Sequence, residues 1–299
     1  MPPHFDDCAE LFFLECSLKN LADRTIMRYR TALMQFGDFL EHRGVDIDDC
    51  TKRVVREFLR HQSTRITRRG VTAASVSVNG DIRTLRVFFN IMVEEGEVSE
   101  SPMKGIRMMR VPETEVVTIT AEQMRKLLQT PKVSTFVGRR DRCLMMVLYD
   151  TGMRLGEALS LTVENVDIDN FVIHIKHGKG GKNRVAPFGG KCAKELLKYR
   201  RSRPRFAETF FCSYRGRLLE RGNINDALHR YGAKVGMPRL HAHLFRHTFC
   251  TEFLRQGGDL ETLRRIVGHS GYSMLRRYVH LLSDDLVKRH REVGILDRI

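Results

Sequence analysis

No apolar run in this 299-residue chain approaches the roughly 20 residues a helix needs to cross a bilayer. The longest, Cys143 to Tyr149, is far too short, so a membrane role is not expected. The first ten residues, MPPHFDDCAE, carry acids where a secretory leader would carry basic and then apolar residues, and the cytosol is the expected compartment. The cysteines number seven, an odd count, and none forms a C-x-x-C pair. The thiols read as reduced, mostly buried small hydrophobes. No internal repeat and no low-complexity segment is present. The phosphate-loop pattern G-x-x-x-x-G-K-[ST] is absent too.

What the chain has is positive charge, unevenly placed. The formal net charge is +15 and the pI about 9.8. Residues 1–110 hold 17 Lys/Arg against 16 Asp/Glu, whereas residues 111–299 hold 34 against 20. A basic C-terminal part suits a polyanionic partner. The near-neutral N-terminal part is polarised: residues 1–49 are acidic. The stretch 51–86 carries Lys52, Arg53, Arg56, Arg60, Arg65, Arg68, Arg69, Arg83 and Arg86 against Glu57 and Asp81. Such clustering neutralises phosphates, and these nine side chains are candidate DNA-backbone contacts. The bland alternative is a solvated helix face.

Helical periodicity dominates the N-terminal part. Apolar residues recur loosely over 5–20 and clearly over Thr25–Arg43, where Gly44 ends the pattern. Thr51–His61 and Ala73–Glu95 read as two more helices, the last stopped by Gly96, with Asn79-Gly80 inside it a candidate break. Pro102 and Pro112 bracket a basic stretch before the β-branched run Val116–Thr120, which reads as a linker. Thr120-Ala-Glu-Gln123 resembles a capping box and opens a second domain. The expected division is a helical domain over 1–112 and a second domain over 113–299. In the second, Arg139–Asp150 is a strongly apolar helix stopped at Thr151-Gly152. Phe171–Ile175 and Arg184–Pro187 read as short strands around the turn HGKGGK. The fold class is therefore mainly α with a small β-hairpin or sheet, an α+β arrangement.

The stretch Leu240–Tyr278, LHAHLFRHTFCTEFLRQGGDLETLRRIVGHSGYSMLRRY, concentrates the chemistry. His243, Arg246 and His247 come first, then Gly268-His269-Ser270, then Tyr278 nine residues after that histidine. Earlier lie Arg154 in TGMRLGEALSL and Lys179 in HGKGGKNRVAP. Two guanidiniums, three imidazoles, an ammonium and a phenol, with no acidic metal cage, suit phosphoryl transfer without a metal ion. Guanidiniums bind the non-bridging oxygens through paired hydrogen bonds while staying charged. A phenol of ordinary pKa about 10 needs nearby cations and a base to ionise.

This constellation resembles the tyrosine recombinases, the phage-integrase and Xer-type group. Their Arg…Lys…His-x-x-Arg…His…Tyr pattern falls on Arg154, Lys179, His243, Arg246, His269 and Tyr278, carried by TGMRLGE, GKGGK, HLFRHTF and GHS. The motifs span roughly Thr120 to the C-terminus; the N-terminal part matches by size and pattern only. Phe245 departs, standing where the family usually has a smaller aliphatic residue, and reads as a packing change. The resemblance implies a SAM-like core-binding domain and a catalytic domain clamping duplex DNA. It implies a Tyr278 nucleophile forming a 3′-phosphotyrosyl link and Lys179 as the acid for the leaving 5′ oxygen, with Lys182 another DNA contact. No cofactor is implied. A tetramer on two recombination sites is implied, with residues 283–299 a candidate tail donated to a neighbour.

Each of these residues has an ordinary alternative. Arg154 could simply pair with Glu157. Lys179 has rivals in Lys176 and Lys182, and Tyr278 in Tyr272 or in a core-aromatic role. His241, His243 and His247 have spacing a metal could use, but no Cys or acid completes a usual site. His269 could be a satisfied core histidine. Two rival functions share the same residues: a type IB topoisomerase-like enzyme and a catalytically inactive DNA-binding protein.

Overall fold

A computed structural model of the chain describes residues 2–66, 75–111, 117–176 and 183–268. Two compact units emerge, Met1–Thr114 and Glu115–Ile299. Both are mainly helical, and one small antiparallel sheet lies in the second. Among the described residues no helix is long and apolar enough to cross a membrane.

The first unit contains α1 (Pro3–Leu18), α2 (Asp23–Arg43), α3 (Lys52–Thr64) and α4 (Ser75–Glu94), with a 3-10 turn at Ile47–Asp49. α1 opens on a proline, whose missing N–H costs nothing in the first helical turn. The next orphan donors, His4 N and Phe5 N, are taken by the Asp46 carboxylate at 3.2 and 2.9 Å. The helices bury a phenylalanine cluster: Phe5, Phe12, Phe36, Phe58, Phe88 and Phe89 are all fully enclosed. Their rings meet mostly edge to face, Phe36 and Phe58 at 4.9 Å between centroids. Each such ring contributes about 1.5–3 kcal/mol by burial.

The candidate break at Asn79-Gly80 does not form; α4 runs through it. Asn79 is buried, and its amide bonds the Met109 backbone twice: Nδ2 donates to Met109 O at 2.9 Å, and Met109 N donates to Oδ1 at 2.7 Å. Gly80 leaves the space the Arg28 guanidinium occupies. Both residues that look like a turn in sequence are tertiary contacts in the fold.

The second unit comprises α5 (Ala121–Gln129), α6 (Phe136–Thr151), α7 (Leu155–Leu159), β1 (Val166–Asp167), β2 (Val172–Ile175), β3 (Arg184–Pro187), α8 (Gly190–Ser202), α9 (Arg221–Ala233), α10 (Ala242–Arg255) and α11 (Leu260–Val267). The Thr120–Gln123 capping box forms reciprocally, at 2.9 and 3.2 Å. The sheet runs β1-β2-β3, with Val166 opposite Ile173 and Ile175 opposite Arg184. Strand β1 was not expected: two residues carry no periodicity to read. The core gathers Leu144, Leu148, Ile173, Leu196, Tyr199, Phe210, Phe211 and Phe245. Phe245, the residue larger than its usual counterpart, is wholly buried there.

Candidate active site

Helix α6 ends at Gly152, which adopts φ +60°. A side chain there would also collide with the Phe249 ring, so glycine serves both the left-handed stop and the close approach. Two residues later Arg154 is the extended residue immediately before α7. Glu157, one turn in, accepts from Arg154 N at 2.7 Å and from its guanidinium Nη1 at 2.9 Å. The ordinary pairing of Arg154 with Glu157 is thus real, and it does not exhaust the guanidinium. Nη2 reaches the Gly268 carbonyl at 3.4 Å.

Arg246, on α10, is only 3% exposed. Its guanidinium is held by backbone carbonyls: Nη1 donates to Gly152 O at 2.8 Å and Nη2 to Val267 O at 2.7 Å. Burial, and then the nearby Arg154 charge, push its pKa down to about 10, so it stays cationic at neutral pH. A third arginine, Arg184, opens β3. Its Nε donates to Ile266 O at 2.9 Å, and its two terminal nitrogens grip the Glu157 carboxylate at 3.0 and 2.7 Å. Burial works against the Glu157 charge, but the Arg184 and Arg154 hydrogen bonds overcome it and hold the carboxyl below its usual range.

Three successive carbonyls at the C-terminal end of α11, those of residues 266, 267 and 268, therefore each take one guanidinium, from Arg184, Arg246 and Arg154. Carbonyls at the end of a helix carry the negative end of its dipole. Among the described residues, three cations stand here against the one Glu157 carboxylate, an excess of positive charge. Such an arrangement can hold a phosphodiester and the charge that builds on it. Sequence reading treated Arg184 only as the start of a strand and Glu157 only as a bland partner; the signal available was an arginine just after the GKGGK turn.

His243 lies on an exposed position of α10, its ring meeting that of His247 edge-on at 4.8 Å. His241 Nδ1 lies 2.8 Å from Arg239 O. Lys179, Lys182, His269 and Tyr278 lie outside the described residues, as do the rival Tyr272 and the tail 283–299.

In the first unit, Arg53, Arg56, Arg60, Arg65 and Arg83 are exposed, whereas Lys52 and Arg86 are partly buried. Lys52, Arg56 and Arg60 recur every fourth residue of α3, which buries Val55 and Phe58. Arg53 pairs with Glu57 at 3.2 Å, and Arg86 donates to Ile106 O at 2.7 Å. Arg68 and Arg69 lie outside the described residues. Among the described residues, one group with metal-ligating donors close together is His4, Cys8 and Glu97. There the imidazole already spans two carboxylates, Asp48 at 2.7 Å and Glu97 at 3.1 Å. Those bonds raise its pKa to about 9, and burial pushes the Cys8 thiol up to about 12. This is an ion-paired histidine beside a protonated thiol.

Residues 117–284 match the Phage integrase family, and residues 12–96 match the Phage integrase, N-terminal SAM-like domain. The chain belongs to the phage integrase family. This integrase-family protein is 28% identical over 283 residues to tyrosine recombinase XerD of Shewanella oneidensis, covering 92% of each chain. It is 30% identical to tyrosine recombinase XerC of Oceanobacillus iheyensis, covering 90% of this chain and 89% of that one. In fold it resembles the Tn1549 transposon integrase in complex with transposon right end DNA, with TM-score 0.74, 19% identity and coverage of 96% and 99%. It also resembles XerH site-specific recombinase in a post-cleavage complex with palindromic difH, with TM-score 0.73, 21% identity and coverage of 97% and 85%. The protein is a tyrosine recombinase: it performs site-specific DNA recombination, cleaving and rejoining strands.

Proposed function

We propose that Arg154, Lys179, His243, Arg246, His269 and Tyr278 form the active site, acting on duplex DNA recombination sites. The observation that carries this is the gathering of Arg154 and Arg246 on the carbonyls of residues 267 and 268, with positive charge in excess of Glu157. Two fixed guanidiniums there bind the non-bridging oxygens of the scissile phosphate and stabilise the charge they gain. Tyr278 Oη attacks phosphorus while the bond to the 5′ oxygen breaks. The phenolic proton passes to a histidine, His243 or His269, and Lys179 protonates the departing 5′ oxygen. The phosphate remains esterified to the tyrosine at the 3′ end. An incoming 5′ hydroxyl reverses the step and releases the phenol. The ester bond is conserved throughout, so the reaction draws on no nucleotide hydrolysis.

The integrase and XerH structures whose folds resemble this chain hold DNA, which supports a duplex substrate. The exposed arginines of α3 and α4 supply backbone contacts. Strand exchange needs two sites, and we assign a tetramer with residues 283–299 as the segment that joins protomers. Deleting that segment weakens synapsis and leaves single-site binding intact; loss of single-site binding overturns the assignment.

The deciding experiment is covalent trapping on nicked duplexes that carry the sequence flanking the gene, without added metal, followed by denaturing electrophoresis. The expected result is an adduct that Tyr278→Phe abolishes and Tyr272→Phe retains. An adduct retained by Tyr278→Phe removes that residue as nucleophile. Relaxation of supercoiled DNA with no exchange between sites favours a topoisomerase-like enzyme. DNA binding with no adduct across a wide screen of sites favours a catalytically inactive binder.

A further inference from the structure

We propose that Arg184 is a positioning residue that keeps Arg154 available to the scissile phosphate, a role that rests on the active-site reading above. A carboxylate beside a catalytic guanidinium is a competitor for it. Left alone with Arg154, Glu157 would form a two-pronged ion pair and hold that guanidinium away from an anionic ligand. In this fold the two-pronged grip belongs instead to Arg184, whose Nη1 and Nη2 meet the two Glu157 oxygens at 3.0 and 2.7 Å. Arg154 keeps one side-chain contact to the same carboxylate, at 2.9 Å, plus its backbone N–H. Arg184 thus supplies two of the four hydrogen bonds that Glu157 accepts, and both ends of the guanidinium fork.

The same side chain fixes the other wall of the site. Its Nε donates to Ile266 O at 2.9 Å, and its Cδ, Nε and Cζ lie where a side chain on Gly268 would have to go. Gly268 has φ +65° and offers its carbonyl to Arg154. Arg184 is 9% exposed at its side chain and Glu157 11%, so solvent does little to screen the pair. One planar cation therefore ties β3, the first turn of α7 and the end of α11 together. Lysine, a single point donor, cannot reproduce three bonds in these directions.

The test measures single-turnover adduct formation on a nicked duplex that the wild-type protein cleaves, with binding to the same duplex measured in parallel. Arg184→Ala is expected to slow cleavage by about 10- to 100-fold with binding little changed. The discriminating variant combines Arg184→Ala with Glu157→Gln. Removing the carboxylate that Arg184 had satisfied releases Arg154, so the double variant is expected to recover cleavage relative to Arg184→Ala alone. A second readout replaces one non-bridging oxygen of the scissile phosphate by methyl. On that uncharged substrate Arg154 has less charge to neutralise, and the defect of Arg184→Ala relative to wild type is expected to shrink. Arg184→Lys, which keeps the charge and most of the stem, serves if the alanine variant does not fold; it too should lose more on the natural phosphate. Additive loss in the double variant, or equal loss on both phosphates, overturns the proposal and leaves Arg184 a structural brace. Tyr278→Phe separates this outcome from failure of the active-site reading, since an adduct that survives it refutes the site itself.

Discussion

A guanidinium buried to 3% exposure would be expensive without partners, and Arg246 finds two in carbonyls 94 and 21 residues away. Those distances in sequence explain what was legible at this scale. The HLFRHTF motif singled out Arg246 as a candidate, but its depth depends on chain that returns from α6 and α11, which no local pattern displays. Arg246→Lys keeps a charge and loses the fork. Single-turnover cleavage is expected to fall by about 10²- to 10³-fold while duplex binding persists, as rapid-quench adduct formation and equilibrium binding would show. A parallel fall in binding would mean the residue holds the fold and not the phosphate. Its neighbour Phe245 points the other way, into the core, with no exposure. Phe245→Ala is expected to cost about 3–5 kcal/mol of stability by leaving a cavity, read from denaturant midpoints. An effect below about 1 kcal/mol would mean the site collapses around the smaller side chain.

At the scale of elements, most helices were readable because their apolar residues repeat every three or four positions and glycines stop them, as at Gly44 and Gly152. The pair Asn79-Gly80 shows where such reading ends. A buried asparagine in a helix looks like a turn until its partner, the Met109 backbone, is in view. Asn79→Leu is expected to destabilise the first unit by about 1–3 kcal/mol, because both Met109 groups lose their partner. Gly80→Ala would be cheap by contrast, since the atom in the way is the tip of the flexible Arg28 side chain; at Gly138 it is the Lys132 backbone, and Gly138→Ala is expected to cost about 1–3 kcal/mol. His4 pins the start of α1 to Asp48 and to Glu97, just beyond α4. Its pKa is raised from 6.5 to about 9, so the folded state binds the proton more tightly than the unfolded chain. The stabilisation is complete below about 6.5 and is lost as pH rises through about 9. Thermal unfolding of the wild type should therefore drop across that window relative to His4→Gln; parallel curves would remove the imidazolium from the account.

For the whole molecule the charge is the organising quantity, and it was legible at once: 34 Lys/Arg against 20 Asp/Glu in residues 111–299, near balance before them. What the balance conceals is geometry within the first unit. Lys52, Arg56 and Arg60 line one face of α3, while Arg86, in the same sequence cluster, spends its guanidinium on the Ile106 carbonyl. These two classes of arginine should separate in a salt titration of duplex binding. Each phosphate contact releases counterions, and its loss makes the slope of log K against log salt less negative by about 0.9. Arg56→Gln and Arg60→Gln should each produce that change and weaken all sequences alike, because backbone contacts carry no base information. Arg86→Gln should instead lower the stability of the unit and leave the slope close to wild type. If Arg56→Gln and Arg60→Gln leave the slope unmoved, the α3 face is merely solvated. DNA contact would then fall to the basic second unit, whose excess charge is sufficient for non-specific attraction.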